Sequence, residues 1–153
     1  MAKIKLESVI EQLEFASDMN KSFFNKITGE IHLIPEELER HAEQNIDDDF
    51  MAEWEKELIP IVKDINQNPD HYIPFPSQFD INEYEIMERF CLSLQDEKLR
   101  EEMYSSIKGS GAFHRFKNNI HNYRIAEDWY KYKDEALKEI AIEWCKDNNI
   151  DYF

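Results

Sequence analysis

Apolar residues recur along this chain with two different periods. Over residues 5–16, Leu6, Val9, Ile10 and Leu13 fall at helical spacing, which predicts a short amphipathic helix. The next stretch, SFFNKITGEIHLI, changes period: Phe24, Ile27, Ile31 and Leu33 are interleaved with polar residues, and Thr28-Gly29 separates two strand-favouring runs. That pattern predicts a β-hairpin. Pro35 followed by Glu36 and Glu37 predicts a helix start, because proline presets φ and the acids face the positive end of the helix dipole. This helix is expected to end near Gln44. Another is read from MAEWEKELIPIVKDI, with Trp54, Leu58, Ile61, Val62 and Ile65 on one face and Pro60 kinking it or setting off its last part.

NPDHYIPFPSQF carries Pro69, Pro74 and Pro76 and is expected to be extended, adding an edge strand beside the hairpin and marking a hinge or boundary. From Asp80 onward the pattern is helical throughout. Asp80 with Glu83 resembles a capping box, and Tyr84, Met87, Cys91 and Leu94 follow at helical steps. Leu99, Met103 and Ile107 give a second helix, and Phe113, Phe116, Ile120 and Tyr123 a third. Trp129, Tyr132, Ala136, Ile140 and Trp144 give a long fourth, with Asn148 and Asn149 suited to a left-handed cap at its end. The expected core is Phe113, Phe116, Ile120, Trp129, Ile140 and Trp144.

Composition supports a folded chain despite its charge. With 153 residues, 42% of them apolar, ten Phe and three Trp, the chain can bury a core without metal or disulfide staples. Cys91 and Cys145 lie in apolar, helix-like surroundings with no C-x-x-C and no histidine at metal spacing, and are read as buried free thiols. The N-terminus MAKIKLESVIEQ has no apolar signal core, and no run approaches a membrane span, so the expectation is a cytoplasmic protein that meets no membrane. The net charge is −15, and it is unevenly placed: residues 1–107 carry 25 acids and 10 bases, residues 108–153 eight of each. A surface this acidic disfavours nonspecific contact with nucleic acid or anionic lipid over most of its area.

The exception is KGSGAFHRFKNNIHNYR, residues 108–124, which holds two of the three glycines and no acid, while Lys108, Arg115, Lys117 and Arg124 give it a charge of +4. With positions 113, 116, 120 and 123 facing inward, His114, Lys117, Asn118 and His121 form one outer stripe, flanked by Arg115 and Asn122. A cationic face that begins at a glycine-rich helix N-terminus can attract phosphate or carboxylate through free amides and the dipole. The anion-binding candidates are therefore Ser110, Gly111, Ala112, His114, Arg115, Lys117, His121 and Arg124. The plainer account is that Gly109 ends one helix in a left-handed conformation, Ser110 helps cap the next, and the stripe is solvated.

Other chemistry finds little support. The segment lacks the Gly-Lys-Ser/Thr of a phosphate-binding loop. His114 and His121 lie two turns apart, about 10 Å along the axis, too far for one ion. Asp47, Asp48 and Asp49 invite a divalent metal, yet they precede a helix and read as N-cap and first-turn acids. Glu37 and His41 have the i, i+4 spacing of metal ligands but also that of an exposed ion pair. There is no G-x-S-x-G and no activated cysteine, so no catalytic residue, metal or cofactor is assigned.

Taken in order, FPSQFDINEYEIMERFCLSL, GSGAFHRFK and EDWYKYKDEALKEIAIEWCKDNNI resemble uncharacterised protein family 0158 of the bacterial UPF series. The hairpin FFNKITGEIHLI with its following acidic helix is similar to the family's N-terminal part, and the likeness covers roughly residues 5–150. The resemblance implies a bacterial cytoplasmic protein of one recurring domain; it brings no activity, cofactor or catalytic residue with it. One departure is Arg124, where the family pattern tends to have glycine.

The expected architecture is a single α+β domain over residues 1–153, predominantly helical. A first part (5–79) holds helix, hairpin, acidic helices and the Pro-rich connector, and a helical half (80–150) follows. The expected function is noncatalytic: a binding or regulatory module recognising a partner protein through its charge asymmetry. The alternatives are an anion, phosphorylated ligand or nucleic acid held by the basic 108–124 face, and a metal-dependent hydrolase.

Overall fold

A computed structural model of the chain describes residues 3–39 and 52–153. The fold is α+β and mostly helical, with one three-stranded antiparallel sheet in the order β2-β1-β3. The chain divides into two compact units: Met1–Ile81 together with Ile140–Phe153, and Asn82–Glu139.

The first unit opens with α1 (Leu6–Glu14), whose Val9 and Leu13 are buried. Strands β1 (Asn20–Asn25) and β2 (Ile31–Pro35) form the expected hairpin, pairing Phe23 with His32 and Phe24 with Ile31. Its turn is built by Asn25, a buried polar residue whose side-chain oxygen accepts from the Ile27 and Thr28 amides at 2.8 and 3.2 Å, and by Gly29 at φ +80°. Ile27 therefore sits exposed in the turn rather than in the strand pattern, and the second strand buries Ile34 rather than Leu33. The Pro-rich connector supplies a single 3-10 turn (Pro69–His71) and then β3 (Tyr72–Pro74), which pairs with β1 at the sheet edge where proline is tolerated.

Residues 36–39 are helical, as Pro35-Glu36 predicts. The helix α2 (Glu53–Gln67) passes through Pro60 and packs Ile59 and Val62 against Ile34 and Leu38, with Phe23, Leu58, Ile61 and Ile65 around them. Its buried face is thus centred on Ile59 and Val62, and Trp54 at its first turn is exposed. The N-cap is Ala52, which has no side-chain acceptor; only the return half of a capping box forms, with the Ala52 amide donating to Glu55 at 3.2 Å. The proposed capping acids Asp47, Asp48 and Asp49, with His41, lie outside the described residues.

The short helix α3 (Gln78–Ile81) closes this part of the chain. Its cap is a reciprocal pair, the Ser77 amide donating to Asp80 at 2.9 Å and the Asp80 amide to the Ser77 hydroxyl at 3.2 Å. Asp80 therefore caps backward onto Ser77 rather than forward with Glu83. Near the chain ends, the Ile4 amide donates to Asp151 (2.9 Å) and the Phe153 amide to Ile4 (3.1 Å), a parallel bridge that joins the first strand-like residues to the last.

The second unit is helical: α4 (Glu83–Ser93), α5 (Glu97–Ser106), α6 (Ala112–Asn122) and the first part of α7 (Ala126–Asp147). Asn82 caps α4 from the left-handed region, accepting from the Glu85 amide at 3.2 Å, and Asp96 caps α5 by accepting from Leu99 at 3.1 Å. The core is an aromatic cluster. Trp129 meets Phe116 edge-on at 4.7 Å and Phe90 at 5.4 Å between ring centroids. Phe116, Ile120, Trp129 and Trp144 are buried as expected, whereas Phe113 is 52% exposed and Ile140 is only partly covered. Buried Ala112 and Leu137 lie on the inner sides of those turns instead.

Candidate functional site

The loop from Ile107 to Gly111 turns the chain between α5 and α6, and both of its glycines have φ +78°. Gly111 is the N-cap of α6 and, lacking a side chain, caps nothing. What holds the loop is Arg115. Its Nε donates to the Ser106 carbonyl at 2.6 Å, and its two terminal nitrogens donate to Ser110 at 2.5 Å and Lys108 at 2.6 Å. Helix ends leave carbonyls without intrahelical partners, and a planar guanidinium can satisfy several at once. The Tyr84 hydroxyl adds a further bond, to the Ile107 carbonyl at 2.9 Å.

This arrangement redistributes the cations of the basic segment. Lys108 lies 3.7 Å over the Tyr104 ring and 4.0 Å from Glu88, and Tyr104 raises its pKa. Arg115 is engaged with main-chain oxygen. Of the four cations, only Lys108 forms an ion pair with a described residue, and the side chains of Lys117 and Arg124 bond to none. His114, Lys117, Asn118 and His121 are all exposed on one face, with Asn118 bonded to His114 at 3.3 Å, and Ala112 is buried. Ser110 is exposed and offers its carbonyl to Arg115.

Arg124 occupies the left-handed position after α6, at φ +58°. The Ile125 amide reaches the Ile120 carbonyl (2.8 Å) and the Arg124 amide reaches His121 (3.2 Å), which is the double bond pattern of a Schellman ending with arginine where glycine is easiest. Asn149, at φ +55°, does the same for α7, with Ile150 bonded to Cys145 at 2.8 Å.

A different feature appears in the first unit, where a groove of about 850 Å³ opens between the end of α1, the face of β1 carrying Ser22, and the segment 74–80. Its floor includes Phe75 stacked on Trp144 at 4.5 Å, with the Trp144 indole N–H donating to the Pro74 carbonyl at 3.1 Å. Its walls carry Phe15, Leu33 and Phe79, which are 70, 47 and 81% exposed. Four carboxylates line it, Asp18, Asp80, Glu143 and Asp147, against one cation, Lys21, which is itself 3.3 Å from Glu39. None of the four carboxylates forms an ion pair with a described residue. The sequence pattern passes over these residues, yet a signal was there: Phe15 lies off the buried phase of α1, and Phe79 interrupts a polar run after the prolines.

Elsewhere, Cys91 and Cys145 are buried free thiols, and burial pushes the Cys91 pKa up to about 11 and raises that of Cys145. Among the described residues no three of His, Cys, Asp and Glu converge on a point where an ion could sit. No helix among them is long and apolar enough to cross a membrane.

The uncharacterised protein family UPF0158 matches residues 2–153. The chain belongs to that family. One relative is a UPF0158 protein of Pseudomonas aeruginosa, 27% identical over 66 residues, a match spanning 42% of this chain and 43% of the relative. The chain thus covers less than half of that relative's length. No solved structure matches the chain.

Proposed function

We propose that this UPF0158 chain is a noncatalytic binding module that recognises a partner protein, and that the groove of its first unit receives that partner. The carrying observation is the exposure of Phe15, Leu33 and Phe79 around one concavity. Isolated exposed apolar residues are ordinary, but three large ones framing a groove mark an interaction surface. Among the described residues no assembled nucleophile, base and oxyanion donor accompanies them, and burial raises the pKa of both thiols, which disfavours the nucleophilic thiolate.

A photo-cross-linking amino acid at position 79, with the same group at Phe113 as control, tests the reading in bacterial cells. Discrete protein adducts from position 79 and none of the same mass from position 113 are expected. Equal adducts from both sites, or turnover of a phosphoester or amide substrate by the purified chain that depends on one side chain, would overturn it. A second reading, an anion held by the α6 face, draws on the exposed His114, Lys117 and His121. It has to do without Arg115, whose donors face the loop carbonyls.

A further inference from the structure

We infer that the occupant of the groove is a basic segment of the partner protein, carrying an aromatic or large aliphatic anchor next to lysine or arginine; this rests on the binding reading above. Two observations specify that chemistry. The walls offer Phe15, Leu33 and Phe79 as apolar contacts around the Phe75 and Trp144 floor, which calls for an apolar side chain in the concavity. The rim offers Asp18, Asp80, Glu143 and Asp147 without described cationic partners, and the one lining cation, Lys21, already faces Glu39.

Charge beyond the groove points the same way. The unit that contains it carries 21 acids and 8 bases, whereas the other unit carries 12 and 10, so almost the whole excess of −15 belongs to the groove-bearing unit. A potential of that sign repels nucleic acid, anionic lipid and an acidic peptide, and it speeds encounter with a cation. It also disfavours a second copy of this chain, whose own groove unit has the same sign. Arginine is the better fit for the rim, because its guanidinium can pair with a carboxylate in bidentate fashion and also lie over an exposed phenyl ring. Apolar burial would hold the segment and the carboxylates would select it.

Three labelled 12-residue peptides serve as probes: one with Trp and Leu anchors among arginines, one with the anchors among serines, and one with arginines but no anchors. Fluorescence anisotropy against the full chain should show the anchored basic peptide binding at least about tenfold more tightly than either control, since both kinds of contact are required. Added salt should weaken it toward the anchored serine peptide. Replacing Asp18, Glu143 and Asp147 together by Asn, Gln and Asn should reduce binding about tenfold, and neutralising Glu7, Glu53 and Glu101, which lie off the groove, should change it by less than about threefold. Equal binding of the basic peptide without anchors, or equal losses from the two triple variants, would overturn the inference by showing general attraction to an acidic protein. Equal binding of the anchored serine peptide would also overturn it while leaving the groove reading intact. If Phe15→Ser with Phe79→Ser leaves peptide binding unchanged, the groove reading falls as well.

Discussion

Arg115 organises the turn between two helices through carbonyl oxygens, so its loss is a structural event. Arg115→Ala leaves the carbonyls of Ser106, Lys108 and Ser110 to water, and is expected to cost about 1–3 kcal/mol in urea unfolding, in line with about 1 kcal/mol or less per partly solvated bond. Arg115→Lys should recover little, because one ammonium cannot span the fork. Lys117→Ala, on the exposed side of the same helix, should stay within about 0.5 kcal/mol of the parent. Spacing alone put both residues near one cationic face; nothing in the sequence shows that a guanidinium will fold back under its own N-terminal loop. Gly111 is part of that geometry, since a Cβ there would come within 3.0 Å of an Arg115 terminal nitrogen, while Gly109 faces open space.

Tyr72 gives a second residue-scale test. Burial, then the hydrogen bond its hydroxyl donates to Asp64, push its pKa up from 10.0 to about 12. The folded chain therefore keeps a proton that the unfolded chain releases between those values, and stability should fall as pH rises across that window. Tyr72→Phe should flatten this alkaline slope in urea midpoints, while leaving the loss from the Cys91 thiol, which titrates from 9.0 to about 11 on the same side, in place. On the acid side the sign reverses. Asp64 is held below 3.8, first by the Tyr72 bond and then by Asn68, so its contribution is present above that value and disappears as pH falls through the depressed one. An unchanged alkaline slope in the variant would mean that Tyr72 does not couple to folding.

At the scale of elements, most of the architecture was legible, because period and capping chemistry are local. The hairpin, the edge strand after the prolines, and the helices from Glu83 onward sit where the pattern put them. What failed was phase at element ends. Phe113 and Trp54 share the helical period of their buried neighbours but fall on the outer side of first turns; in α6 the buried position of that turn is taken by Ala112, one residue earlier. The groove was hidden for a related reason: Phe15, Leu33 and Phe79 come from three separate elements, and only folding brings them together. Trp144 tests the element that supplies the floor. Trp144→Ala should cost about 3–5 kcal/mol by cavity formation against Phe75, whereas Trp144→Phe should cost less, about 1–2 kcal/mol, keeping an aromatic contact and losing the bond to Pro74. Equal costs would show that the stack contributes nothing beyond the hydrogen bond.

For the whole molecule, the deciding quantity is the uneven charge. A unit with 21 acids and 8 bases repels itself when compact, and the opposing lysine–carboxylate pairs among its described residues, Lys5–Glu7, Lys21–Glu39 and Lys56–Glu53, are mostly exposed. Exposed pairs are worth about 0–1 kcal/mol each and are themselves screened, so relief of self-repulsion should win when salt is added. The melting temperature is therefore expected to rise between about 0.02 and 0.5 M NaCl, as the screening length falls from roughly 20 Å to about 4 Å. KCl should give the same curve, since the effect is screening rather than binding of one cation. A rise with one chloride salt only would point to a bound ion. A fall with both would mean that favourable pairs outweigh repulsion, and the acidic rim of the groove would then be neutralised from within the chain rather than left available to a basic partner.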